Sequence, residues 1–128
     1  MRVLLDTHAL LWYLSSDSRL SDKAIAVLGD HKTEAFVSIA TLWELVIKIS
    51  LGKIELAAPF EELFPSQLEE NGFELLPVEI QHLRRLSELP FHHRDPFDRL
   101  LIAQAIEESL VILSVDEAFE AYPVAIAW

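Results

Sequence analysis

Cysteine is absent from the 128 residues, which excludes disulfides, zinc–thiolate sites and thiol catalysis; it is compatible with a cytosolic protein without demanding one. Glycine is scarce: Gly29, Gly52 and Gly72 stand alone, so there is neither a dinucleotide fingerprint nor a phosphate-cradling P-loop. Positive charge is also short. Ten Lys and Arg face 21 Asp and Glu, a formal net charge of −11, which opposes nucleic-acid binding by bulk electrostatics. Long apolar runs are missing too. Leu42-Trp43 and Leu45-Val46-Ile47 are interrupted by Glu44 and Lys48, far short of the ~20 residues of a bilayer-spanning helix. Asp6 interrupts the opening Val3-Leu4-Leu5 before a secretory core could form, so neither membrane nor export is expected and a cytoplasmic location is.

What remains is apolar and acidic. Hydrophobic residues make up 52% of the chain, and the mean hydropathy is +0.27. That richness suits a sheet buried on both faces, or a surface covered by a partner. No linker, low-complexity tract or repeat is visible, and the length suits one domain over residues 1–128.

Short apolar runs alternate with longer segments of helical period, the pattern of parallel strands joined by helical crossovers. Strands are predicted at Arg2–Leu5, Ala35–Ser38, Glu74–Pro77, Leu110–Leu113 and Val124–Ala127. Helices are predicted at His8–Leu14, Ser21–Leu28, Thr41–Ser50, Phe60–Glu70, Ile80–Glu88 and Pro96–Ser109. Gly52 and Gly72 follow two of these as helix-ending glycines, and Ser87–Asp95, with Pro90 and His92-His93-Arg94, reads as a loop. The fold expected is α/β: a three-layer sandwich around a mostly parallel sheet of four to five strands, with ligands beyond the carboxyl ends of the strands.

Acids stand at those ends. Asp6 directly follows the first strand and reads either as a helix N-cap or as a metal ligand. Glu44 lies among large apolar residues, where a carboxylate needs a cation; Lys48 one turn later supplies one, and a metal would supply another. In Asp95-Pro96-Phe97-Asp98-Arg99, proline favours the first helical position, so Asp95 reads as the cap. Asp98 then stands in the first turn, where it would suit the macrodipole or face the strand ends. Asp116 follows the fourth strand and again reads as cap or ligand. Each acid has an ordinary explanation alone, but all four are predicted on one edge of one sheet.

Four converging carboxylates are what Mg²⁺ or Mn²⁺ needs: hard oxygen ligands that leave positions open for water and substrate. Bound ions also invert the local field, which weakens the objection from net charge. The sparse basic residues Lys48, Lys53, Arg84, Arg85, Arg94 and Arg99 read as phosphate contacts or as solvated surface charge, with Arg99 the preferred contact. Zinc on His92-His93 is disfavoured, because adjacent side chains rarely chelate one ion and no third soft ligand is evident.

These residues carry a resemblance. Val3-Leu4-Leu5-Asp6-Thr7-His8-Ala9-Leu10-Leu11-Trp12 resembles the amino-terminal motif of PIN-domain proteins, specifically the VapC-like toxin ribonucleases. Ser38-Ile39-Ala40-Thr41-Leu42-Trp43-Glu44-Leu45 resembles the second acidic motif, Asp95 through Ala105 the third, and Leu113-Ser114-Val115-Asp116 the fourth. Their order and spacing extend over nearly the whole chain. The resemblance implies a metal-dependent endoribonuclease with Asp6, Glu44, Asp98 and Asp116 at the metal, and Thr7 and Ser114 as polar neighbours that place water or an acid. It also implies a cognate antitoxin and a homodimer, whose interfaces would draw on Trp12, Trp43, Phe60, Phe64 and Trp128, unless these are core. Where many relatives carry Asn after Asp-Thr, this chain has His8, as one branch does. Two other classes compete: a PIN-like module that only binds a partner, against which all four acids count, and a phosphotransferase phosphorylated on Asp6, against which the missing Asp-x-Asp pair counts.

Overall fold

Val3, Leu4 and Leu5 are completely buried although their side chains point to opposite faces, because β1 (Arg2–Leu5) occupies the middle of the sheet. The computed structural model describes Met1–Trp128. It places β1 between β2 (Glu34–Ser38) and β4 (Val111–Leu113), with β3 (Phe73–Leu76) and β5 (Ile126–Ala127) at the edges, in the order β3-β2-β1-β4-β5. Every pairing is parallel.

Parallel neighbours require crossovers, and the helices supply them. They are α1 (Thr7–Leu14), α2 (Asp22–Gly29), α3 (Ile39–Ser50), α4 (Phe60–Leu63), α5 (Ser66–Glu70), α6 (Ile80–Glu88) and α7 (Pro96–Glu108). Val3, Leu5, Ala35 and Val37 pack with residues of α1, α2, α3 and α5 in one core. Leu4, Phe36 and Ile112 pack with Leu101, Ile102 and Ala105 of α7, and with Leu86 of α6, in the other. The α/β three-layer sandwich expected from the sequence is therefore the fold.

Boundaries moved where local chemistry was stronger than periodicity. The helix predicted over Phe60–Glu70 is two, because Phe64 takes an extended conformation ahead of Pro65, whose ring disfavours a helical predecessor and which has no N–H to donate. α3 begins at Ile39 rather than Thr41, since the Ser38 hydroxyl accepts from the Ala40 amide and caps it. The third strand lies one residue earlier than expected, at Phe73–Leu76, and the fifth shortens to Ile126–Ala127. Gly52 and Gly72 have φ of 70° and 71°, the left-handed conformation that ends a helix.

The order of the strands positions the site. From β1 the chain leaves through α1 and α2 toward β2 along one face, and it returns to β4 through α7 along the other. The connections therefore diverge at the carboxyl ends of β1 and β4, where an open parallel sheet leaves a crevice.

Candidate metal centre

Asp6 and Asp116 leave the ends of β1 and β4, and both serve as N-caps. Asp6 Oδ1 accepts from the Ala9 amide at 2.8 Å, and Asp116 Oδ1 accepts from the Ala118 amide at 2.9 Å. Capping uses one oxygen of each, so cap and ligand are compatible roles. Ser114 ties the two acids together: its hydroxyl donates to Asp6 Oδ2 at 2.5 Å and accepts from the Asp116 amide at 2.9 Å.

Glu44 enters from α3 and is 7% exposed. The Thr7 hydroxyl donates to its Oε1, and Lys48 Nζ lies 3.0 Å from its Oε2. The Glu44–Lys48 pair weighed from the sequence thus forms, while the Thr7 bond joins Glu44 to the segment that carries Asp6. Asp98 stands in the first turn of α7. Asp95 caps that helix through Oδ1, accepting from the Phe97 and Asp98 amides, which leaves the Asp98 carboxylate free of capping duty.

The acids act on one another in pairs, and Asp6 and Glu44 stand outside the group whose donor atoms lie closest together. Asp116 disfavours ionisation of Asp6, and Glu44 disfavours that of Asp98. Donor atoms of Asp98, Asp116 and His93 all lie within 4.8 Å of one another. Burial is the main force raising the Asp6 carboxyl above its usual range, opposed by the Ser114 and Ala9 bonds and by His8. Burial likewise pushes Asp98 up to about 6, against the lowering effect of its His93 hydrogen bond and with Asp95 and Glu44 adding to the rise. Cations facing this cluster are few: Lys48 on Glu44, and the imidazoles near Asp6 and Asp98 when protonated.

This donor set fits a hard divalent cation, because Asp6 and Asp98 are buried or half-buried beside other acids with little positive charge facing them, while Asp116 is exposed and open to a ligand. The acids alone would hold Mg²⁺ or Mn²⁺ through oxygen.

Arg99 is occupied elsewhere. Its guanidinium is buried and donates to the carbonyls of Leu89 and Pro90 and to the Tyr122 hydroxyl, leaving little surface for the phosphate contact expected of it. Among the other basic residues Arg85 pairs with Glu107 at 2.7 Å. The aromatic residues divide: Phe64 is core, Trp12 packs against Trp128 and His8, and Trp43 is 59% exposed.

The residue that sequence reasoning passed over is His93, whose Nε2 lies 2.8 Å from Asp98 Oδ2. Its neighbour His92 turns instead onto the Tyr122 ring. Adjacent side chains do diverge, as expected, but that argument dismissed both histidines when it disposes of only one. The available signal was the loop's attachment to the start of α7, which folds residue 93 back over the first turn.

Among known proteins, the PIN domain family model matches residues 3–125. The fold is similar to that of a chain in the crystal structure of VapBC2 from Rickettsia felis bound to a DNA fragment from their promoter, with a TM-score of 0.72 at 17% identity, covering 99% of this chain and 98% of that one. A toxin–antitoxin complex from Klebsiella pneumoniae is similar at TM-score 0.66 and 18% identity, covering 98% and 96%. FitAcB from Neisseria gonorrhoeae is similar at TM-score 0.65 and 20% identity, covering 97% and 95%. No curated protein sequence gives a significant match.

Proposed function

The chain belongs to the PIN domain family, whose members are in general nucleases, and from that premise we propose that it is a cytoplasmic metal-dependent endoribonuclease, the toxin of a toxin–antitoxin pair. The observation that carries this reading is the approach of Asp98, Asp116 and His93 to within 4.8 Å of one another, with Asp6 close enough to feel the charge of Asp116 and Asp98 close enough to feel that of Glu44.

In this reading Asp6, Glu44, Asp98 and Asp116 hold Mg²⁺ or Mn²⁺. When bound, the ion supplies Lewis acidity toward a phosphodiester and lowers the pKa of a coordinated water. The chain's own groups do the rest. Ser114 and Thr7 fix the rotamers of Asp6 and Glu44 through hydroxyl donors, so two ligands are oriented in advance. Lys48 pairs with Glu44, and the caps on α1 and α7 fix Asp6 at the start of the one helix and Asp98 in the first turn of the other. Neither an attacking side chain nor a covalent intermediate is required.

An antitoxin and a second copy of the chain are the protein partners in this reading, and the whole of residues 1–128 acts as one domain. Supporting an apolar interface, Ile39, Trp43 and Val46 form an exposed strip on α3. The relatives similar in fold include toxin–antitoxin complexes.

The test is cleavage of end-labelled RNA by the purified protein with Mg²⁺ or Mn²⁺, beside EDTA and an Asp6→Asn variant. Asparagine keeps the cap acceptor and removes the charge. Cleavage is expected only from the wild type with metal. Equal product in EDTA, or from the variant, overturns the mechanism; phosphorylated Asp6 without RNA cleavage would identify a phosphotransferase instead.

A further inference from the structure

We infer that His93 is a nitrogen ligand of the metal centre and that it makes the site prefer a divalent transition ion over Mg²⁺. This rests on the reading of the acids as metal ligands and adds a donor to them.

The distance suits ligation. Donor atoms on adjacent corners of an octahedron with bonds of about 2.0–2.1 Å lie about 3 Å apart. His93 Nε2 and Asp98 Oδ2 are 2.8 Å apart, and an oxygen of Asp116 lies within 4.8 Å of both. Without metal the contact is a hydrogen bond from Nε2–H to the carboxylate. For Nε2 to bind metal, its proton moves to Nδ1, which has no protein partner, or to solvent if the ring was doubly protonated.

The loop that delivers the imidazole is built to hold it. The Tyr122 hydroxyl accepts from the amides of both His92 and His93, at 3.1 and 2.9 Å, and donates to the Pro90 carbonyl at 2.9 Å. Arg99 reinforces the same turn by donating to the Leu89 and Pro90 carbonyls and to Tyr122, with its guanidinium stacked 4.0 Å from the Phe91 ring. A buried guanidinium and a tyrosine hydroxyl committed to one short turn fix where residue 93 stands. Oxygen ligands alone suit Mg²⁺; an imidazole among them favours the transition ions, for which nitrogen is the better donor.

The experiment uses the full chain and Mn²⁺ as probe. Pulsed electron paramagnetic resonance of the Mn²⁺ complex should show ¹⁴N coupling from a bound imidazole. His93→Gln should abolish it and His8→Gln should leave it, with circular dichroism confirming that both variants fold. Calorimetry should show Mn²⁺ bound more tightly than Mg²⁺ by the wild type. His93→Gln should weaken Mn²⁺ binding by roughly tenfold or more, with a much smaller change for Mg²⁺. Coupling that is absent from the wild type, or that survives His93→Gln, overturns the inference while leaving the acids as ligands. Failure of the wild type to bind either ion overturns the underlying reading as well.

Discussion

Stability and the proposed metal-binding role pull Asp98 in opposite directions. Its carboxyl titrates at about 6 in the fold, chiefly because burial disfavours the charge, against an ordinary value of 3.8. Between those values the folded chain holds a proton that the unfolded chain has released, so unfolding free energy falls as pH rises through that window. Above pH 6 the metal-free protein carries the full cost of an ionised, partly buried acid. A rise from 3.8 to about 6 corresponds to ~3 kcal/mol, which solvent screening of a side chain 21% exposed reduces to about 1–2 kcal/mol. Asp98→Asn should therefore stabilise the metal-free protein by that amount at pH 7.5 and by almost nothing near pH 4, as measured by urea unfolding at the two values. Equal stability at pH 7.5 would mean that the carboxylate is already compensated. At this scale the sequence was informative but forced a false choice: Asp6 and Asp116 were weighed as caps or ligands, and a carboxylate has two oxygens. Arg99 was harder to read, since a guanidinium beside a candidate acid suggests phosphate, and only the packing of residues 89–91 shows its donors committed to carbonyls.

Among the elements, those specified by nearby residues were legible and those specified by distant ones were not. α7 could be placed from Asp95-Pro96 alone, because the cap and the ring act on adjacent residues. The break at Pro65 was equally local, yet the helix expected over Phe60–Glu70 runs straight through it. The conformation of residues 89–94 was illegible, because its organiser, Tyr122, lies some thirty positions downstream. Tyr122→Phe isolates that effect: the ring still fills its place in the second core, while two amides and a guanidinium lose their shared acceptor. The loss should cost about 1–3 kcal/mol. It should also speed hydrogen exchange at the His92 and His93 amides while leaving exchange in β1 unchanged relative to global stability. Unaltered exchange at those two amides would show that Arg99 alone fixes the turn.

At the scale of the whole molecule, the alternation of apolar runs with helical segments announced a parallel sheet, but the order β3-β2-β1-β4-β5 comes from which faces the helices cover, and no local pattern states that. The net charge of −11 poses the remaining problem for the proposed ribonuclease activity, since RNA is a polyanion. A protein that binds phosphates through many Lys and Arg side chains releases counterions and loses roughly 10³–10⁵ in affinity between about 50 and 200 mM salt. Here Arg99 is buried, Arg85 is paired with Glu107 and Lys48 with Glu44, so few cationic side chains are left to form such a track. If divalent ions at the acid cluster make the main phosphate contacts, kcat/KM for RNA at fixed, saturating metal should fall by less than about tenfold over that salt range. Initial rates at four KCl concentrations measure the slope directly. A steep decline would require a basic surface, supplied by a second copy or by residues such as Lys53, Arg84 and Arg94 acting together, and would remove the metal from its role as principal anchor of the substrate.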